Sequence, residues 1–447
     1  MQKPKTRITQ NITKQFKKRM KTKLLKLALC ATAMLPLGAW ADVENKATAT
    51  WLFNQYVPGD TVASTAAGSY QVIDHDGLYS VIGHSSKTRN LTTETARMDS
   101  DLKDGETTIF SKGWYTGLYF DDGRGKGIDK AANYEGGGGR MSLRINRPGK
   151  LYILCRNYNP ERLIGVFKDR SSEAVVTSES NTNFQMLTVE IAKSELQSAS
   201  SYDKNVICHI TGYYDNNGTN AGNGFKIYGV KYVVSEDAAQ LSKSVTIPSC
   251  GYATFSGPHT YTISSVTNSG SATAWYASDE SDNKITLAQT GNKRIAPSQG
   301  FIIIGTPGET ATLKTVEEQT TIAGTNLLVA NVAAYNLQRT TSITQGSATT
   351  TYYNYILVPD GESNAVFKHT TGTGNLGANK AFLRTTTNVE AVGARGFEFV
   401  FEDGTTAINE VKPEGAHSNR YFNINGQEVA QPTKGLYIVN GKKVFIK

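Results

Sequence analysis

The chain has 447 residues, with 47 basic against 39 acidic side chains, 42 glycines and only 19% charged residues. Ten of the basic residues lie within the first 26 positions, which contain no acid, so the chain beyond residue 41 holds 37 basic against 39 acidic side chains. That body is near neutral and lacks the clustered Lys and Arg of a nucleic-acid footprint, which excludes nucleic acid as a partner.

The basic start is followed by an apolar stretch at 27–38 and by Ala39-Trp40-Ala41. A basic region, a short apolar region and a small-x-small site read as a cleavable secretory signal peptide over residues 1–41. The apolar stretch is shorter than the roughly 20 residues that span a bilayer. The mature chain is therefore expected to be exported, extracellular or on an outer-membrane surface, without a transmembrane helix. Three cysteines remain beyond the signal: Cys155, Cys208 and Cys250. They read either as buried thiols, or as a Cys155–Cys208 bridge with one thiol left over.

About 400 mature residues suggest two or three domains. Short β-rich runs alternate with Gly, Asn, Asp and Pro throughout, the pattern of sandwiches and barrels. Residues 42–234 predict strands at 49–53, 70–73, 108–111, 117–120, 140–146, 149–156, 164–168, 187–191, 205–211 and 224–234. Met141, Leu143 and Ile145 share one face and Ser142, Arg144 and Asn146 the other; likewise Phe225 and Ile227 oppose Lys226 and Tyr228. The one helical apolar period, 186–196, reads as a short helix or as a strand followed by a turn. A polar connector at 235–244 leads to a second β-domain at 245–402 with similarly short, even spacing. A linker follows at 403–418, and then a last block, 419–447, in which Asn425-Gly426 and Asn440-Gly441 separate apolar runs as hairpin turns. The expected fold is all-β: two jelly-roll-like β-sandwich domains and a small C-terminal β-hairpin unit.

The last block, Arg420-Tyr-Phe-Asn-Ile-Asn-Gly-Gln-Glu-Val429 with Gln431-Pro-Thr-Lys-Gly-Leu-Tyr-Ile-Val-Asn-Gly-Lys-Lys-Val-Phe-Ile-Lys447, resembles the C-terminal sorting-type segment of Bacteroidetes secreted and surface proteins. The resemblance implies an export machinery as partner and surface attachment through a type IX-like route. The second domain is similar to an accessory β-domain of such proteins at Gly251-Tyr-Ala-Thr-Phe255, Ile295-Ala-Pro-Ser-Gln-Gly-Phe-Ile-Ile-Ile304 and Ala378-Asn-Lys-Ala-Phe-Leu383. Through Ala49-Thr-Trp-Leu-Phe53, Gly117-Leu-Tyr-Phe120 and Gly224-Phe-Lys-Ile-Tyr228, the first domain resembles the non-catalytic carbohydrate-binding sandwiches found beside polysaccharide-degrading modules. The role this implies is glycan binding.

Three segments carry the aromatic and polar side chains that such binding uses. Trp114, Tyr115, Tyr119 and Asp121 sit on a strand and its turn; Arg156, Asn157 and Tyr158 end a buried-looking strand; Tyr213, Tyr214, Asp215 and Asn217 occupy a loop. Each aromatic has core packing as its alternative, and for Trp114 packing is the preferred reading. Asp215, Asn217 and Thr219 have the i, i+2, i+4 oxygen spacing of a calcium loop but lack its glycine and distal Glu, so they read as an ordinary turn. No cofactor is expected, and a structural calcium elsewhere in the sandwich stays open. Gly123-Arg-Gly-Lys-Gly127 and the glycine run before Arg140 lack the Ser/Thr and helix of a phosphate loop. The carboxylate pairs Asp121–Asp122, Asp129–Glu135 and Glu402–Asp403 lie in turn-rich or linker sequence, where Asp is common. The function expected from these features is non-catalytic binding of a polysaccharide or glycoconjugate. A structural or adhesive role and a polysaccharide-degrading enzyme are its alternatives.

Overall fold

The structure is a computed structural model. It describes residues 45–84, 87–121, 139–169, 171, 173–197, 202–213, 224–361, 364–369, 374–392 and 396–402, and near the C-terminus 421–422, 428–429, 434–439 and 442–446. The signal-peptide segment, the 403–418 linker and both Asn-Gly turns of the last block lie outside these residues. The fold is all-β. No helix among the described residues is long and apolar enough to cross a membrane.

The first part of the chain supplies β1 (Ala49–Leu52), β2 (Thr61–Thr65), β3 (Ser69–Asp74), β4 (Leu78–His84), β5 (Arg89–Met98), β6 (Leu102–Asp104), β7 (Thr107–Phe110) and β8 (Gly113–Phe120). It continues with β9 (Arg140–Ile145), β10 (Gly149–Asn157), β11 (Ile164–Lys168), β12 (Val176–Thr177), β13 (Gln185–Ile191), β14 (Val206–Gly212) and β15 (Phe225–Val234). Of the two readings of 186–196, strand then turn is the one found: β13 ends at Ile191 and a single helical turn, Lys193–Leu196, follows. One antiparallel sheet has the order β13-β10-β15-β8-β5-β2, with β1 also on β15; the other runs β12-β11-β14-β9-β4-β3.

The two sheets pack face to face over Trp51, Leu118, Phe120, Met141, Leu143, Ile145, Leu151, Ile153, Phe225 and Ile227. The period-2 reading of 141–146 holds, because Met141, Leu143 and Ile145 all enter this core. β10 is apolar on both sides for a separate reason. Leu151, Ile153 and Cys155 face the core, whereas Tyr152 and Leu154 join Ala96, Met98, Phe110 and Tyr228 in a second, smaller cluster on the outer face. The β6–β7 hairpin lies in that outer cluster through Leu102, Ile109 and Phe110. Cys155, Cys208 and Cys250 are free buried thiols, so the Cys155–Cys208 bridge is not formed. Cys155 and Cys208 enter the core from opposite sheets, on β10 and β14, and burial pushes both thiols up to about 12.

Residues 242–401 form four further sheets, of three, five, five and two strands. They do not stand apart from the sandwich: residues up to Gly404 form one compact unit, and Thr405–Lys447 a second. Tyr335, Leu337 and Phe382 enter the sandwich core itself. The Arg384 guanidinium donates to Asn54 O at 3.0 Å, Gln55 O at 3.1 Å and Asn354 Oδ1 at 3.1 Å. Asp76 pairs with Lys243 at 2.6 Å and accepts from Asn379 Nδ2 at 2.9 Å, and Tyr335 Oη donates to Asp60 at 2.6 Å. The expected connector at 235–244 is likewise tied down, with Ala239 N donating to Lys46 O and strand Ser242–Thr246 paired to Thr310–Thr315. In the C-terminal unit, Gly435–Val439 pairs antiparallel with Lys442–Ile446, and Tyr421–Phe422 with Glu428–Val429.

Two predictions follow from this packing. Heat should unfold residues 45–404 in a single calorimetric transition, and Arg384→Ala should lower it as a whole by about 2–4 kcal/mol, since three acceptors lose a charged donor. Two separated transitions, with only one moved by the substitution, would contradict a shared core.

The second concerns acid. His75, bonded to Ser80 Oγ at 2.9 Å, and His209, bonded to Ser142 Oγ at 2.8 Å, are both buried, and burial lowers each from 6.5 to about 3. Above pH 6.5 neither state is charged; below it only the unfolded chain takes up these protons, so stability falls as pH drops from 6.5 towards 3. Urea midpoints at pH 7.5, 5.5 and 4.5 should therefore decline in order, and equal midpoints would contradict the assignment.

Candidate functional site

The outer face of the β13-β10-β15-β8-β5-β2 sheet gathers four of the eleven sequence-predicted residues, Tyr115, Tyr119, Arg156 and Tyr158, and strand parity explains which ones. On β8, Leu118 and Phe120 point into the core, so Tyr115 and Tyr119 point out. On β10 the inward Cys155 leaves Arg156 outward. Tyr119 stacks on Tyr158 with ring centroids 5.6 Å apart and 19° between planes, and Tyr158 is 48% exposed. The Arg162 guanidinium lies 4.9 Å from the Tyr158 ring centroid, and Lys226 Nζ lies 5.5 Å from Tyr158 and 5.8 Å from Tyr119. Along the same face, Arg156 sits 5.2 Å from the Phe184 ring, which contacts Tyr228 at 4.7 Å and Tyr115 at 6.2 Å. The result is a run of rings and cations across β8, β15, β10 and the approach to β13.

Glu94 joins the two halves of the run. One of its oxygens takes Lys226 Nζ at 2.6 Å and the other accepts from Tyr228 Oη. Burial first, and then this carboxylate, push the Tyr228 phenol far up and keep it a donor. Two glycines let the rings lie flat on the sheet. A Cβ on Gly117 would stand 2.6 Å from Tyr228 Cδ1, and one on Gly224 would stand 2.5 Å from Tyr119 Cε2.

Other predicted residues are placed elsewhere. Asn157 is 2% exposed; its Nδ2 donates to Glu179 O at 2.6 Å and Asn181 O at 2.8 Å, and its Oδ1 accepts from Ser178 Oγ at 2.6 Å. It follows the inward parity of Cys155 and fastens the segment that presents Phe184. Asp121 accepts from Asn90 N at 2.9 Å and closes the end of β8. Trp114 shares the parity of Leu118 and Phe120, so it leaves the opposite face from Tyr115 and Tyr119; at 38% exposed it is not a core residue, which corrects the packing preference. It lies beyond the end of the core, two residues past Thr116. Tyr213 packs on Phe167 at 6.4 Å, on the outward parity of β11 in the other sheet. Tyr214, Asp215 and Asn217 lie outside the described residues, as do Thr219, Asp122, Asp129, Glu135, Asp403 and the glycine loop at 123–127.

Phe184, Arg162, Lys226, Glu94 and Tyr228 belong to the run although the sequence did not single them out. The outward parity of Lys226 and Tyr228 was readable; Arg162 and Phe184 lie in loops that carry no periodicity. Among the described residues no three His, Cys, Asp or Glu side chains gather as a metal site. The buried Ser142–His209 contact sits with Ser142 fully enclosed, so it serves the fold rather than an incoming substrate. A separate cavity of about 440 Å³ in the second β-region, lined by Tyr252, Leu337, Ile356 and Lys380 among others, includes none of the predicted residues. No protein-family model matches the chain, and no curated protein matches it.

Gly224→Ala should displace the Tyr119 ring and shift its side-chain NMR resonances, while Trp114→Ala should change stability by less than about 1 kcal/mol. Trp51→Ala, in the core, should cost about 3–5 kcal/mol. A Trp114→Ala loss as large as that of Trp51→Ala would put Trp114 back into the packing.

Proposed function

We propose that this chain is an exported, non-catalytic protein that binds a polysaccharide or glycoconjugate on the outer face of its seven-stranded sheet. The observation that carries the reading is the run Tyr115, Phe184, Tyr119 and Tyr158, in which Tyr158 is exposed and the other three are half-buried, interleaved with Arg156, Lys226 and Arg162. A sugar ring presents C–H groups on its faces and hydroxyls at its rim. The electron-rich faces of aromatic rings suit the former, and guanidinium and ammonium donors beside them suit the latter. The basic-apolar start at 1–41 and the sorting-like block at 420–447 support export to the cell surface.

The test is a glycan array together with a reducing-sugar assay on residues 42–447. Binding without sugar release is expected. Tyr158→Ala should weaken that binding at least tenfold, about 1.4 kcal/mol, with an unchanged unfolding midpoint. Sugar release would put an enzyme in its place, and absence of both binding and release would favour a structural or adhesive role.

A further inference from the structure

We infer that the glycan bound on this face is acidic, bearing uronate carboxylates or sulfate esters that Arg156 and Arg162 take up; the inference rests on the glycan reading above. It comes from following each charge on the face to its partner. Glu94 is committed to Lys226 and to Tyr228 Oη, so that lysine is neutralised where it stands. Asp121 is committed to the backbone of Asn90. Arg156 donates through Nε to Thr182 O at 2.9 Å and lies against Phe184, and Arg162 lies against Tyr158. Neither arginine has a carboxylate within ion-pairing distance among the described residues.

Arg147 on Tyr202 and Arg384 on Phe382 also lie on rings without an ion pair among the described residues, but away from this face; several other cations of the unit are paired with carboxylates. Lys150 is paired with Asp104, Lys168 with Glu195, Lys193 with Glu236 and Asp237, and Arg294 with Glu318. Two guanidinium groups held on aromatic rings of one run, with no carboxylate partner among the described residues, form an anion-receptive surface. The chemistry favours arginine there. A guanidinium resting on a ring has one face already desolvated, and the in-plane N–H groups it has not committed, for Arg156 those other than the Nε–H held by Thr182 O, can meet the oxygens of a carboxylate or sulfate. Holding the side chain in place beforehand also lowers the ordering cost of binding. Rings for the sugar faces and unpaired guanidiniums for the charges would read an acidic polysaccharide along its length.

The experiment compares matched probes by calorimetry on residues 42–447: polygalacturonate against its fully methyl-esterified form, and dextran sulfate against dextran. At least one charged probe is expected to bind tenfold or more tightly than its neutral counterpart, with affinity falling as salt rises; which pair shows the difference separates carboxylate from sulfate. Arg156→Gln with Arg162→Gln should abolish that preference, whereas Lys284→Gln, an exposed cation on a strand outside this sheet, should leave it intact. Equal binding of charged and neutral partners would overturn the acidic assignment and leave the glycan reading standing. A preference that survives the double substitution would overturn the arginine assignment. Binding of none of the four, by a variant that retains the wild-type melting temperature and by the wild type alike, would overturn the inference together with the reading beneath it.

Discussion

A single extra residue in β15 sets the shape of the candidate site. The strand pairs with β10 through a register shift opposite Leu154 and Cys155: Cys155 faces Ile227 and Leu154 faces Gly229, so Tyr228 has no counterpart. Before the bulge the inward residues are Phe225 and Ile227; after it they are Val230 and Tyr232, so the parity changes while the core stays filled. The other edge of β15 changes partner at the same place, with β8 along Phe225–Ile227 and β1 along Leu52's partner Gly229 to Tyr232. Tyr228 lies on the outer face by the same alternation as Lys226, and the bulge leaves Gly229 on that face after it, opposite the outward Leu154; the Tyr228 ring covers Gly117 and its hydroxyl reaches Glu94. Lys226, Glu94 and Phe184 take their positions around that ring.

The outer face can carry the exposed Tyr158 and the half-buried rings beside it because the rest of the sheet is held firmly. Its inner face is sealed by the second sheet, part of its outer face by the β6–β7 hairpin, and its flank by residues from the second β-region. Rigid strands place the aromatic side chains more closely than loops would, which reduces what is lost on binding. Only Arg162, Tyr158 and Phe184 come from connecting segments, and the Asn157 and Ser178 side chains bind down the stretch before Phe184.

Much of the fold was legible in the sequence, because short apolar runs bounded by turn residues mark strands, and 140–145 and 224–228 also alternate in residue type: 140–145, 164–168 and 224–234 emerge almost as read. In the first part of the chain strands β2, β4, β5, β6 and β12 were missed, the last two being only three and two residues long. β4, Leu-Tyr-Ser-Val-Ile-Gly-His, is buried at every position and so shows no alternation, and β2 and β5 are rich in Thr, which also suits loops. Two separate domains were expected, but Tyr335, Leu337, Phe382 and Arg384 lie more than 100 residues from the sandwich they complete, and sequence spacing carries no trace of such contacts. At the site, Tyr115, Tyr119, Arg156 and Tyr158 could be named from composition. The inward turn of Asn157 and the opposite face of Trp114 both followed from parity, which outranked residue type.

The central claim is that the outer face of the seven-stranded sheet, and not the Trp114 side of it, meets the ligand. Hydroxyl-radical footprinting of residues 42–447 with and without a saturating amount of whichever acidic polymer binds, polygalacturonate or dextran sulfate, tests it most directly. The account predicts that oxidation of Tyr158 and Phe184 falls on binding while that of Trp114 stays the same. Protection of Trp114 with Tyr158 and Phe184 unchanged would contradict it.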